Sequence, residues 1–331
     1  MPKAAKPRHP FPKVTPRTFR YAAAMIPHCT PVRYAAPDAR LAAHIRTDAP
    51  DGCTIAILGM PDDTGVRLNN GRPGAKEGPT AFRAALTRYG VATPPEFDLP
   101  GVFDAGDVTP PACTPGQEAA ALTEMHRRVS EAAETLAARD MTVVGIGGGH
   151  DLTYALVRGV ARAHTGKKLM GLYYDAHLDV RDTIGSGMGF RKLLEENIAA
   201  SLRIVGFSPE VNSREHAQWF IRNRGTIGAA DAPRIGGLPD DRNAKGFVSV
   251  DLDAIDMASA PGVSAPNPAG LAAGDVAADL RQIGFAFDLA CIDFMELSPP
   301  HDEGGRTARL AAHLFVSFLH GIGSRRPMPL V

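Results

Sequence analysis

Excess charge of either sign is missing from this chain: Lys plus Arg and Asp plus Glu each number 36, and the formal net charge is zero. A neutral protein has no global field to draw nucleic acid or an anionic membrane, so any electrostatic argument must be local. Cysteine is scarce as well. The four cysteines, Cys29, Cys53, Cys113 and Cys291, stand far apart with no C-x-x-C pair. That removes the usual spacing of structural zinc sites and of secreted disulfide frameworks, and leaves reduced thiols in a cytoplasmic protein as the expectation. No apolar run approaches the roughly 18–20 residues of a membrane span. The first ten residues are basic and proline-containing without an apolar core, so no secretory signal is expected. Six Lys or Arg and no acid fall within the first twenty residues. The prolines among them disfavour the amphipathic helix of an organelle address, and an extended tail, mobile or wrapped on a neighbouring subunit, is the simpler expectation.

What is present is an ordinary globular composition, 44% hydrophobic over 331 residues, with no repeat or low-complexity linker. Short apolar runs alternate with helical segments. Strands are expected at Thr54–Leu58, Thr142–Ile146, Leu169–Tyr174, Leu202–Gly206, Phe247–Leu252 and Leu289–Met295. Each is nearly unbroken, as in a parallel sheet covered on both faces. Helices are expected at Thr80–Tyr89, Pro115–Ala138, Leu152–Ala163, Glu210–Arg222, Gly274–Ile283 and Arg306–Leu319. In the clearest, Thr114 is the expected N-cap, Pro115 takes the first helical position and Gln117 completes a capping box. Leu122, Met125, Val129, Ala133 and Leu136 then form one apolar stripe. The pattern predicts a single three-layer α/β/α domain with a mostly parallel central sheet over residues 46–325, preceded by a basic extension, 1–45. Its ligand site belongs beyond the carboxyl ends of the strands.

Four polar clusters stand at such strand ends. Gly147-Gly148-Gly149-His150 follows the second strand; the glycines allow a tight turn and close backbone approach, though alone this could be a plain loop. Asp175-Ala176-His177-Leu178-Asp179 follows the third. Residues two apart on an extended chain share a face, so Asp175 and His177 project together and Asp179 reaches back from the loop. Asp251-Leu252-Asp253 repeats the pattern, and Asp256 beyond it reads as a turn residue or one that orients a ligating histidine. Glu296 ends the last strand. A lone carboxylate there is ordinarily solvated, and beside a cationic amidine it becomes a counter-charge. Buried carboxylates persist when paired or bound to a cation. Two histidines and four aspartates suit Mn²⁺, Fe²⁺, Co²⁺ or Ni²⁺ better than structural zinc or calcium. Six such ligands accommodate two ions about 3.5 Å apart, able to lower the pKa of a shared water.

In this order the motifs resemble those of the arginase–agmatinase–formimidoylglutamase family, over about residues 54–320. Gly59-Met60-Pro61-Asp62, Gly71 to Pro79, Asp104-Ala105-Gly106-Asp107 and Ala260 to Pro266 add to the likeness. The resemblance implies His150, Asp175, His177, Asp179, Asp251 and Asp253 as ligands of two Mn²⁺ ions, with Asp175 and Asp251 bridging. It implies Glu296 as the partner of the amidine or guanidine, and a homo-oligomer, trimeric or hexameric. Asp175 to Arg181, Ser186 to Arg191 and Gly304 to Arg309 look more like formimidoylglutamase than arginase, with Phe190 in the place of an arginase loop histidine. Met188-Gly189 and Ser298 depart from the usual residues beside the substrate pocket.

The implied activity is hydrolysis of N-formimidoyl-L-glutamate to glutamate and formamide, a step of histidine degradation. Asp179 and Glu296 would be the catalytic carboxylates, and Arg72, Arg181, Ser186, Arg191 and Glu296 would bind substrate. A guanidino-substrate hydrolase releasing urea is the alternative. A non-catalytic scaffold is a third reading, disfavoured because all six ligand positions are filled. No nucleic-acid or membrane partner is expected.

Overall fold

Nearly continuous apolar runs can be satisfied only by strands buried on both faces, and that is how the chain uses them. The computed structural model describes residues 26–90, 99–228, 234–239 and 243–325. Among these, the strands in chain order are β1 (Cys29–Thr30), β2 (Ile55–Met60), β3 (Val102–Val108), β4 (Thr142–Gly147), β5 (Lys168–Tyr174), β6 (Ala199–Val205), β7 (Gly225–Ile227), β8 (Ala244–Asp251) and β9 (Leu289–Met295). They form one sheet in the order β1-β3-β2-β4-β9-β8-β5-β6-β7, parallel except where β1 meets β3. Its helices are α1 (Thr64–Leu68), α2 (Gly78–Leu86), α3 (Glu118–Ala137), α4 (Leu152–Ala163), α5 (Gly189–Glu195), α6 (Arg214–Arg222), α7 (Ala273–Ala286) and α8 (Arg306–Gly323). One face of the sheet packs against α3 and α4 through Met125, Val129, Leu152 and Leu156. The other packs against α2, α7 and α8 through Phe82, Leu280 and Phe315. The three-layer architecture matches expectation.

Besides the unexpected α1, α5 and β7, four details bear on the argument. Helix α3 starts at Glu118, because Thr114 Oγ1 bonds to the side chain of Gln117 instead of capping the backbone. Helix α6 starts only at Arg214, where Ser213 Oγ accepts the N–H of His216. The described part of the N-terminal extension packs on the fold. β1 pairs with β3, and Leu41, Ala42 and Ile45 are buried in a 3-10 turn and its exit; a two-residue strand has too little pattern to be read from sequence. The basic tail, 1–25, lies outside the described residues.

The fourth difference is β3 itself, hidden in the sequence because Asp104, Gly106 and Asp107 interrupt its apolar run. Buried carboxylates there need a cation, and Arg83 of α2 supplies it. Its Nε and one Nη atom reach the two oxygens of Asp104 at 2.8 and 2.9 Å, and the other Nη reaches Asp107 at 2.6 Å. Tyr34 donates to Asp104 at 2.6 Å. Burial opposes charge on Arg83, but Asp104 and Asp107 outweigh it and raise its pKa. Arg83→Ala strands Asp104 without its counter-ion, and a stability loss of about 3–5 kcal/mol is expected in urea unfolding. A loss below about 1 kcal/mol would show that the pair does not hold β3 in place.

Candidate metal centre

Four adjacent strands, β4, β9, β8 and β5, deliver the polar motifs to one edge of the sheet. The glycines after β4 serve close approach. A Cβ on Gly148 would stand 1.7 Å from the carbonyl oxygen of Asp62, and one on Gly147 would stand 2.3 Å from Cε of Met295. Gly148 and Gly149 donate their N–H groups to Met60 and Asp62, which ties this turn to the end of β2.

β5 and β8 end in a shared device. Asp175 Oδ1 accepts the backbone N–H of His177 at 2.6 Å, and Asp251 Oδ1 accepts that of Asp253 at 2.8 Å. Each carboxylate bends the chain two residues on, bringing the second polar side chain beside the first. Strand alternation, the expected cause, is not what places Asp253, which lies in the short 3-10 turn Leu252–Ala254 after β8 has ended. Asn212 clamps the other loop, donating to Ala176 and Ser208 carbonyls and accepting from Leu178 N–H. Asp179 and Glu296 adopt positive φ, 49° and 64°, a conformation costing of order 1 kcal/mol or more for side chains of this kind.

The six predicted ligands converge. His150 Nδ1 lies 3.0 Å from Asp175 Oδ2, 3.0 Å from Asp179 Oδ2 and 3.1 Å from Asp251 Oδ2. His177 Nδ1 lies 3.3 Å from Asp175 Oδ1 and 3.3 Å from Asp253 Oδ2. Asp175 therefore gives one oxygen to each group. Asp251 gives Oδ2 to the first group, while its Oδ1 takes the Asp253 N–H. His150 Nδ1, Asp175 Oδ2 and Asp253 Oδ1 are buried without a hydrogen-bond partner. Donor separations near 3 Å match neighbouring corners of an octahedron with bonds of about 2.1 Å. Imidazole and carboxylate donors suit a divalent transition ion, so the residues fit a metal pair.

Three residues that matter here were not singled out from sequence. Ser249 donates to Asp293 Oδ1 at 2.6 Å, so its oxygen accepts from His150 Nε2 at 2.9 Å. That fixes a proton on Nε2 and turns Nδ1 toward the carboxylates. The third, Asp151, pairs with His126 at 2.6 Å. Ser249 stands two residues before Asp251 and Asp151 directly follows His150, which was the available signal; Asp293 carried none beyond its place in the last strand.

The expected substrate residues separate. Glu296 is buried; Oε1 accepts the N–H of His150 and Oε2 has no partner. Arg72 spends its guanidinium on the carbonyls of Val263 and Ser264. Arg191 pairs with Glu195 and stacks over Trp219. Arg181 is exposed beside Gly187, two residues from Asp179. Ser186 Oγ accepts from Asn69. Asp256 takes the turn role, accepting from Ala258 N–H. Phe190 is wholly buried, stacked on Tyr173 and edge-on to His150. Gly189 lies with its Cβ position 3.3 Å from the carbonyl of His150, and Ser298 Oγ is buried without a partner.

Residues 53–321 match the family model described as the arginase family. The chain belongs to the arginase family. It is 34% identical to formimidoylglutamase of Geobacillus kaustophilus over 274 residues, covering 78% of this chain and 80% of that one. It is 31% identical to the human mitochondrial guanidino acid hydrolase, covering 82% and 79%. Among solved structures, the Trypanosoma cruzi formiminoglutamase with Mn²⁺ superposes with a TM-score of 0.76 at 30% identity, covering 88% of this chain and 100% of that one.

Electrostatics make metal uptake a competition with protons. Burial disfavours charge on both rings, yet the carboxylates outweigh it: His150 rises well above its ordinary range and His177 is pushed up to about 12. Burial and then Asp251 push Asp253 up strongly. Asp175 is lowered; burial opposes this, but His150 and His177 prevail. The two histidines carry protons that incoming cations must displace. Mn²⁺ affinity should therefore rise with pH, and titration in buffers of different ionisation enthalpy should reveal proton release. Affinity independent of pH across neutrality would contradict this.

Proposed function

We propose that this protein hydrolyses N-formimidoyl-L-glutamate to formamide and L-glutamate, as a manganese-dependent member of its family. The carrying observation is Asp175, which offers one oxygen to each of two facing donor groups while the buried Glu296 keeps an oxygen free beside them. His150, Asp175, Asp179 and Asp251 would hold one ion, and Asp175, His177 and Asp253 the other. Two ions in that setting supply Lewis acidity and a water that ionises near neutral pH.

The chain's own residues do the rest. Glu296 Oε2 accepts a hydrogen bond from the amidinium nitrogen and orients the formimino carbon. Asp179, the most exposed of the aspartates against His150, carries the proton from the attacking water toward the departing amine. Water adds its oxygen to the formimino carbon, the bond from that carbon to the glutamate nitrogen breaks, and that nitrogen leaves protonated. Arg181 is the arginine to meet a substrate carboxylate, since Arg72 and Arg191 are engaged elsewhere. The Ser186 hydroxyl retains its proton to donate. This reading also carries a cytoplasmic setting and a homo-oligomer; among the described residues no helix is long and apolar enough to cross a membrane.

A guanidino-acid substrate is the second reading, favoured by the likeness to the human guanidino acid hydrolase. Product analysis with Mn²⁺ separates the two. Formamide from formimidoyl-glutamate should appear faster than urea from any guanidino substrate, and the reverse order would overturn the choice. Arg181→Ala should raise KM for formimidoyl-glutamate about tenfold, the worth of one exposed charge-assisted contact, with metal content unchanged. An unchanged KM would remove Arg181 from the pocket.

A further inference from the structure

Helices α3 and α4 meet along a mainly apolar seam crossed by polar links at helical spacing. His126 Nε2 meets Asp151 Oδ2 at 2.6 Å, and both side chains are at least nine-tenths buried. One turn along, Ser130 Oγ donates to the carbonyl of Ala155 at 2.7 Å. Beyond it, Arg158 donates to the His126 carbonyl at 3.0 Å and to Ser130 Oγ at 2.9 Å. A Cβ on Gly159 would meet the Ser130 carbonyl at 2.4 Å, so the backbones approach closely there. Apolar stripes alone tolerate sliding, because one leucine replaces another; buried polar pairs at fixed positions do not. Asp151 is the residue after His150 and opens α4. Whatever fixes Asp151 fixes the backbone from which His150 reaches three carboxylates.

We propose that His126 and Asp151 are a positioning pair, locking the axial register of α4 so that His150 Nδ1 faces Asp175, Asp179 and Asp251. The pair rests on the metal-centre reading above. It acts on the His150 half of the site, because His177 and Asp253 hang from β5 and β8, on loops that α4 does not carry. Any sliding of α4, up to the 5.4 Å of a full turn, would carry His150 away from those acids while leaving His177 in place.

Calorimetric titration of metal-free protein with Mn²⁺ alone tests this. The binding step missing from His150→Ala identifies the His150 half. His126→Leu is expected to weaken that step by about ten- to a hundredfold and leave the other unchanged. His126→Gln, which keeps a donor for Asp151, should restore most of it. Equal affinity in His126→Leu and wild type would overturn the proposal, and so would equal weakening of both steps, the mark of general loosening. Should His126→Leu fail to fold, the double variant His126→Leu/Asp151→Leu leaves no buried charge unpaired and is read by the same outcomes. A wild-type protein that takes up no Mn²⁺ would sink the metal-centre reading itself, a result separate from any of these.

Discussion

Carboxylates do not share a dry space willingly, and this fold brings five of them, Asp175, Asp179, Asp251, Asp253 and Glu296, to one strand edge. Only positive charge makes that tolerable. The rings of His150 and His177 stand among them, and the acids raise the pKa of both against the opposing effect of burial. Glu296 shows the cost of being left out: burial first, then Asp251 and Asp253, drive its pKa well up. A pair of divalent ions resolves the conflict more completely than two protons can. Any affinity of the site for cations would draw on that repulsion.

The surroundings are arranged to keep that repulsion from opening the structure. Three of the site's loops are tied by hydrogen bonds between uncharged groups: the Asp62 carbonyl under the glycine turn, the Asn212 amide across the Asp175 loop, and Gly148 accepting from Glu296 N–H. Ser249 and Asp293 then orient the His150 ring from behind. Of the seven non-glycine residues with positive φ among the described residues, Asp179 and Glu296 are the two whose carboxylates face the reacting space, as in sites whose geometry is imposed by the scaffold.

Much of this was legible in the residues. The central strands announced themselves as unbroken apolar runs, and β9 and α4 fall on the expected bounds. The convergence of the six side chains was legible because strand-end clusters of Asp and His have few structural uses. What escaped reading was held by tertiary contacts. β3 carries acids that only Arg83, distant in sequence, makes compatible with a strand. The bend that brings Asp253 beside His177 depends on an Asx turn, while parity alone pointed to the right residues for the wrong reason. Nor does sequence show that Arg72 is held by Val263 and Ser264, and Arg191 by Glu195 and Trp219.

The position of β9 governs how the molecule can be made. The strand formed next to last along the helix–strand succession lies between β4 and β8, in the middle of the sheet. Until residues 289–295 have left the ribosome, the earlier strands form two separate sheets, each with a long apolar edge exposed to pairing with another chain. His150 and Glu296, 146 residues apart, share a hydrogen bond. The site therefore cannot be complete before β9 is in place, and two sheets with open apolar edges are what aggregation would act on until then.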